Sequence, residues 1–499
     1  MPRYLLTCMF VIILFCSSTI AQDITDDLFL EAKKEVHQEN YQKAVELFMK
    51  FLNNPKNQTN FNKYETYRYK AFCNFYLKNY TDAINDADSL LYYQNFFPDN
   101  FFANPPKKVM RGLAFLMKGD CNKINSQWKE AVVAYDSALY YQGKDDGNLY
   151  WKMGWCKENL GKYKEAEKDY EKATRLISDK KELAVIYLNR GNCQYQLSNI
   201  AQAISFYTKS LSYDPTDNEA YRNRGICYFD MKDADKGRAD LLAVIANEKD
   251  DIKKSGVYTT LGFNESQVLD YANGISHLNK ALEIDPLNGW AYYRRAQLYG
   301  YVKNYTAAIA DCNMAIRIYK VDSNKIGTLM VQKALCYNKS GNYDEAVKEY
   351  EEILKMYPDS YTTLYDLGRV LKTRLKNNER AKEILTKAGR LALESGDTTE
   401  YYYIMLFNDG QEEAVRKMAE LIEKNRADKY EYKWALYNMA CTYALVGNNK
   451  KAVEYLNKSF AAGFDAWLHL MNDGDLTSLT NLPEWKAIMT KYKVPAPKY

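Results

Sequence analysis

Pairs of small residues twelve positions apart recur ten times along this chain: Ala32/Ala44, Ala71/Ala83, Gly119/Ala131, Gly154/Ala166, Gly191/Ala203, Gly225/Gly237, Gly262/Gly274, Ala296/Ala308, Ala334/Ala346 and Ala440/Ala452. Between Tyr187 and Trp290 the pattern around them scarcely drifts. Tyr187, Gly191, Tyr195, Ala203, Tyr207, Leu211 and Pro215 are echoed 34 residues on by Tyr221, Gly225, Phe229, Gly237, Leu241 and Ile245. After a spacer, Tyr258, Gly262, Gly274, Leu278, Ala281 and Pro286 repeat it again. Apolar residues at helical spacing predict two helices per period. The small pair is expected where the two helices cross, Gly191 facing Ala203, so that their axes approach to roughly 8–10 Å. One such hairpin cannot bury its apolar face alone, so neighbours must stack into a core that runs lengthwise.

A helix–turn–helix unit of 34 residues, with a small residue early in its first helix, another twelve on and a closing proline, resembles the tetratricopeptide repeat. The resemblance implies an all-α fold, a right-handed superhelical solenoid of about twelve helix–turn–helix repeats closed by a C-terminal helical cap. Two N-terminal units occupy residues 22–93. A segment at 94–111, holding Phe96, Phe97, Pro98, Phe101, Phe102, Pro105 and Pro106, breaks the period; it reads as a loop folded on its own repeats or as a lid over the groove. The regular array covers 112–395, its units starting near Gly112, Gly147, Ala184, Asn218, Ser255, Gly289 and Gly327. In the unit from Tyr361 the second small position falls on Arg380, with Ala381 one residue late, so register degrades there. Residues 396–462 hold a degenerate and a terminal unit. Residues 463–499 form the cap, with Trp467, Leu470, Leu476, Leu479, Trp485 and Ile488 as its covering face and a frayed end from Pro495.

Arg3, the apolar run from Leu5 to Phe15, and Ser17, Ser18, Thr19 and Ala21 lay out a secretory signal peptide over residues 1–21. The run is shorter than the ~20 residues a membrane span needs. Phe15 stands before Cys16 where bacterial lipoprotein signals carry a small residue, which argues against lipid attachment at Cys16. An exported protein, periplasmic or extracellular, is expected.

The 68 basic and 64 acidic residues nearly balance without a long single-sign run, so nothing marks a nucleic-acid partner. The histidines His37, His277 and His469 lie far apart with no carboxylate at metal or triad spacing, and no phosphate loop or nucleophile motif occurs. No catalytic residue, metal or cofactor is therefore expected.

Recognition is the remaining class of function. In the family, the first-helix positions two before and one after the small residue face the groove. Carried over, the first of these gives Lys152, Asn189, Asn223, Thr260, Arg294, Gln332 and Asp366, and the second gives Asn192. Side-chain amides such as Asn189 and Asn223 can bond both edges of an extended peptide backbone. The likeness to chaperone-tail clamps stops there, because Leu188, Gly256 and Thr260 stand where those clamps carry cations. Trp151, Trp155, Phe263, Trp290 and Tyr293 are aromatic groove candidates, suited to packing, to a peptide or to a sugar face. The expected function is a non-enzymatic scaffold of the cell envelope that binds protein or peptide segments in its concave groove. The alternative is a carbohydrate-binding protein using the groove aromatics.

Cys73, Cys121, Cys156, Cys193, Cys227 and Cys336 each sit two residues after the small residue of a first helix, as small buried hydrophobes. Equivalent points on stacked repeats lie roughly 8–10 Å apart, beyond the ~7 Å that a disulfide tolerates. With Cys312 and Cys441, eight cysteines follow residue 21, and all are expected to be free thiols. Alkylation of the denatured, unreduced protein should add eight adducts to that part of the chain; fewer by mass spectrometry would reveal a disulfide.

Overall fold

The computed structural model describes residues 24–499 except 100, 102–105, 321, 398–399, 403, 406–410 and 425. The leader reading, with Cys16, therefore lies outside the described residues. Contacts divide the chain into two compact units, 1–227 and 228–499. Ten helical hairpins succeed one another among the described residues, five in each unit, with the helices Asn218–Asp230, Ala234–Asn247 and Gln411–Lys424 between them. An isolated bridge of extended backbone joins Asp270 and Lys498.

First helices come in two lengths, and their caps say why. Helix Gly289–Tyr301 begins at the expected place, whereas Lys180–Gln196, Asp251–Gln267 and Ser323–Lys339 begin a turn earlier than the pattern suggests. An aspartate stands at each early start: Asp179, Asp250 and Asp322 accept from the backbone N–H of Glu182, Lys253 and Lys325 at 2.9, 3.1 and 3.1 Å. Such caps satisfy donors that the first turn leaves orphaned. The helix expected at 112 likewise begins at Lys107, directly after Pro106, so the period-breaking segment is shorter than 94–111. Its Phe97 and Phe101 stack on each other and pack edge-on against Phe61, with Phe97 also against Tyr64. Lys107 Nζ donates to the Phe97 carbonyl at 2.7 Å. That segment thus packs on the start of helix Asn60–Tyr76.

The small residues do something different from what the twelve-residue spacing suggests. A Cβ on Gly119 would lie 2.5 Å from the ring of Tyr135, and one on Gly154 would lie 2.7 Å from the ring of Tyr170. Gly191 is covered in the same way by Tyr207. The partner is therefore sixteen residues on, and it is large. Of the glycine pairs, Gly262 and Gly274 do approach directly: a Cβ on Gly262 would meet the Gly274 carbonyl oxygen at 2.8 Å. Gly274 also faces Leu298 of the following hairpin, which shows the second small position serving the contact between repeats. At Gly368 the partner is Leu385, seventeen residues on, because the turn between Thr373 and Asn378 holds four residues instead of the three between Gln196 and Ile200. Ala381 is fully buried there, so the late alanine is in register once the longer turn is counted.

In the second unit the C-terminal segment covers the last hairpin, with Leu470, Leu476, Leu479, Trp485 and Ile488 buried against Leu436, Tyr437, Leu456 and Phe460. Its end is not frayed. The Lys498 N–H donates to the Leu269 carbonyl at 2.8 Å, and the Ala272 N–H donates to the Lys498 carbonyl at 3.1 Å. Ala272 lies in the first turn of helix Tyr271–Ile284, so the tail satisfies one of its orphaned donors. Asn472 Nδ2 donates to Tyr271 Oη at 3.1 Å, and Arg369 donates to Asp475 at 3.0 Å.

Two predictions follow from this packing. Gly119→Ala gains helix propensity of about 1 kcal/mol but drives a methyl into Tyr135, where overpacking costs about 1–3 kcal/mol. Urea unfolding should show a net loss of about 1 kcal/mol, partly restored by Tyr135→Leu in the same chain; a stabilised single variant would refute the contact. Separately, burial pushes the Asp366 carboxyl up to about 6 against the opposing pull of Arg369, and burial with Asp397 nearby pushes Glu400 up to about 7. Both lie above their unfolded values, so their contribution to stability is complete below pH ~4 and is lost as pH climbs through about 7. Asp366→Asn should stabilise the protein by about 1–2 kcal/mol at pH 7.5 and leave it unchanged near pH 4. Equal stability at both pH values would show that Arg369 fully compensates the charge.

Candidate functional site

Three consecutive first helices of the first unit frame an open cleft of about 510 Å³. Asp146, Asp179 and Asp217 cap helices Gly147–Asn159, Lys180–Gln196 and Asn218–Asp230, and so fix where each face points. The first contributes Trp155, Glu158 and Asn159, the second Asn192, Tyr195 and Gln196, and the third Asn223 and Ile226. Tyr163 and Tyr207 complete the wall from second helices.

A simple rule links these residues. The residue two before the small position meets the residue one after it in the preceding repeat. Asn223 Nδ2 donates to Asn192 Oδ1 at 3.0 Å, and Tyr207 Oη donates to the same oxygen at 2.9 Å. The rule also seats Lys152 on Asp120, with Nζ to the two carboxylate oxygens at 2.8 and 3.0 Å. In the second unit it lays the Arg294 guanidinium over Phe263, 3.9 Å from the ring centroid. The consequences differ. Lys152 is consumed by a half-buried ion pair, and Arg294 is stacked additionally on Trp290 and bonded to Gln297 at 3.0 Å. The Asn192–Asn223 pair keeps Asn192 Nδ2 and Asn223 Oδ1 without a bond among the described residues, one donor and one acceptor beside the cleft.

The other expected groove residues scatter. Asn189 is half-buried and does not line the cleft. Thr260 donates back to the Gly256 carbonyl at 3.0 Å, and Gln332 Nε2 points at Cys336 Sγ, 3.8 Å away. Asp366 lies within electrostatic reach of Arg369, Asp475 and Glu400. Trp151 packs against the buried cluster of Tyr150, Tyr170 and Ile186. Trp155 is 37% exposed and meets Trp128 edge to face at 5.1 Å. Trp290 and Tyr293 lie 5.1 Å apart and line a smaller cleft of about 230 Å³ with Tyr319, Asn324, Lys325, Thr328 and Leu329. Glu158, Asn159 and Gln196 went unnoticed in the sequence and Tyr195 was read only as a repeat position, although all four stand four and five residues after the small position, one helical turn beyond Trp155 and Asn192.

His277 also departs from expectation. It is buried, and its Nδ1 lies 2.6 Å from Glu265, which also accepts from Arg238 at 2.8 Å. The residue spans the two helices of one hairpin and takes part in packing. No group of three or more potential ligands that could hold a metal ion occurs among the described residues. All eight described cysteines are buried free thiols, and burial raises the pKa of each one whose shift is resolved, for example Cys156 up to about 11.

Comparison with known proteins bears on the repeats. A family model described as tetratricopeptide repeat matches residues 145–215 and 287–359, and two further models of that description match 333–388 and 435–462. A TPR repeat-containing protein of Methanocaldococcus jannaschii is 22% identical over 239 residues, 46% of this chain and 40% of that protein. The mitochondrial import receptor subunit TOM70 of Mus musculus is 25% identical over 245 residues, 48% of this chain and 40% of that one. The chain thus spans about two fifths of the length of these relatives. Yeast Tom70 aligns in structure with a TM-score of 0.41 at 12% identity, covering 93% of this chain and 94% of that one. A tetratricopeptide repeat protein from Parabacteroides merdae gives 0.41 at 17%, covering 52% and 99%. With its period, its small residues seated under large side chains and three matching family models, the chain is a tetratricopeptide-repeat protein.

Proposed function

We propose that this protein is a non-enzymatic scaffold that holds an extended peptide segment of a partner protein in the cleft of its first unit. The observation that carries the reading is the Asn192–Asn223 pair, whose spare amide donor and acceptor border a cleft walled by Trp155, Tyr163 and Tyr195. A peptide bond offers the complementary acceptor and donor, so its backbone can be held without regard to side chain. The aromatic walls supply rigid apolar area at small entropic cost. No helix among the described residues is long and apolar enough to cross a membrane. The signal-like N-terminal sequence supports a location outside the cytosol, as a soluble protein of the cell envelope.

A displayed library of unstructured peptides, selected on the intact chain, tests this reading. Selected peptides should lose at least about 1 kcal/mol of binding to the Asn192→Ala/Asn223→Ala double variant, the worth of an amide hydrogen bond, measured well below a melting point that the loss of Tyr207's acceptor lowers. Equal affinity for the variant would remove the cleft as the binding site. An array of glycans run beside it separates the sugar-binding reading, which requires glycan binding that Trp155→Ala abolishes.

A further inference from the structure

Within the first unit, four carboxylates on helices that build or flank the cleft layer are held by cations. Asp120 holds Lys152 at 2.8 Å, Asp169 holds Lys157 at 2.6 Å, Glu167 holds Arg190 at 2.7 Å and Asp86 holds Lys70 at 3.0 Å. Glu158 is the departure. It is half-buried and lines the large cleft, and its hydrogen bond among the described residues is the one accepted by Oε2 from Tyr170 Oη at 2.6 Å. No lysine or arginine makes an ion pair with it among the described residues, and Glu219, of the same sign, adds to the cost of its charge. Lys123, which rests over Trp155 at 5.5 Å from the ring centroid, is not in ion-pair contact with it. A half-buried carboxylate without a cation is unfavourable, and a ligand that brings one offsets the cost.

The rest of the cleft suits such a ligand. Oε1 of Glu158 has no bonded donor among the described residues, and the rings of Trp155, Tyr163 and Tyr195 share the cleft with it. Aromatic faces attract ammonium and guanidinium groups by about 0.5–2 kcal/mol each, more when water is excluded. We propose that the cleft recognises a basic residue, lysine or arginine, in the bound segment, its cationic head on Glu158 among the rings and its backbone amide at Asn192 and Asn223. This rests on the peptide-binding reading and adds the side chain that gives it specificity. The Asn pair holds any extended backbone; Glu158 chooses among side chains.

The test uses the full chain and four peptides of one sequence, Ser-Thr-Ala-X-Ala-Thr-Ser, with X lysine, arginine, norleucine or glutamate, titrated by tryptophan fluorescence. Lysine or arginine should bind at least fivefold more tightly than norleucine, and glutamate least. The advantage should shrink as salt rises from about 50 to 500 mM, given the shorter Debye length. Glu158→Gln keeps an acceptor for Tyr170 and should erase the difference between lysine and norleucine without abolishing binding. Norleucine binding as tightly as lysine to the unaltered chain overturns the basic-residue proposal and leaves the peptide cleft standing. No response to any of the four overturns both. The comparison among peptides on the unaltered protein decides the matter even if Glu158→Gln fails to fold.

Discussion

A large side chain pressed onto a helix that lacks one of its own is the contact on which five of the ten hairpins depend. Tyr135, Tyr170 and Tyr207 lie on the backbone at Gly119, Gly154 and Gly191, and Leu278 and Leu385 lie on Gly262 and Gly368. Each filler is sixteen residues from its seat, or seventeen where the turn is longer by one. The close approach of the helices is set by the thickness of a ring or an isobutyl group, and the glycine is what admits it. Because three of the fillers are tyrosines, the contact also carries a hydroxyl. Tyr135 donates to Asp120, Tyr170 to Glu158 and Tyr207 to Asn192, each on the first helix of its own hairpin. The packing contact and the polar face of the cleft are therefore one structure: the ring fixes the helix crossing and its hydroxyl orients a groove residue.

The same geometry decides which groove residues remain available. Stacked repeats bring the residue two before one small position against the residue one after the previous one. Where that meeting joins a cation to a carboxylate, as at Lys152 and Asp120, both are spent on cohesion between repeats. Where it joins a guanidinium to a ring, as at Arg294 and Phe263, the cation is stacked away. Two asparagines satisfy half of each other and leave the other half outward. Whether a side chain at such a position is left available thus depends on its neighbour 31 or 32 residues earlier, and its own identity is insufficient.

That is also the measure of what the sequence disclosed. The repeat, the pairing of helices, the capping face and the buried, unpaired cysteines follow from periodicity, because period and burial are local properties of a stacked hairpin. The early starts of three first helices were legible in Asp179, Asp250 and Asp322, but the small-residue pattern drew the boundary elsewhere. Asn192 and Asn223 were found through the family's positions. Lys152 and Arg294 came through the same positions, and the residues that engage them, Asp120 and Phe263, stood one period back in plain view. Glu158 escaped because its significance is the absence of a nearby cation, which only three-dimensional neighbours define.

In the second unit the chain's own end occupies polar groups of earlier hairpins. Its Arg369 is taken by Asp475, Tyr271 accepts from Asn472, and the Lys498 backbone pairs with Leu269 and Ala272. These partners come from the chain's own last 35 residues, which join the terminal hairpin to one about 200 residues earlier, as the bond between Asn472 and Tyr271 records. Closing a loop of that length is costly in entropy, but the cost grows only slowly with length, and several bonds share it. Groups so engaged must first be released before a partner can use them. The cleft at Asn192 and Asn223 has no such internal occupant among the described residues, and its walls are already held in place by the tyrosines beneath them. Preorganised polar groups lose less on binding than groups that must be freed and ordered, which favours the first unit for the proposed recognition.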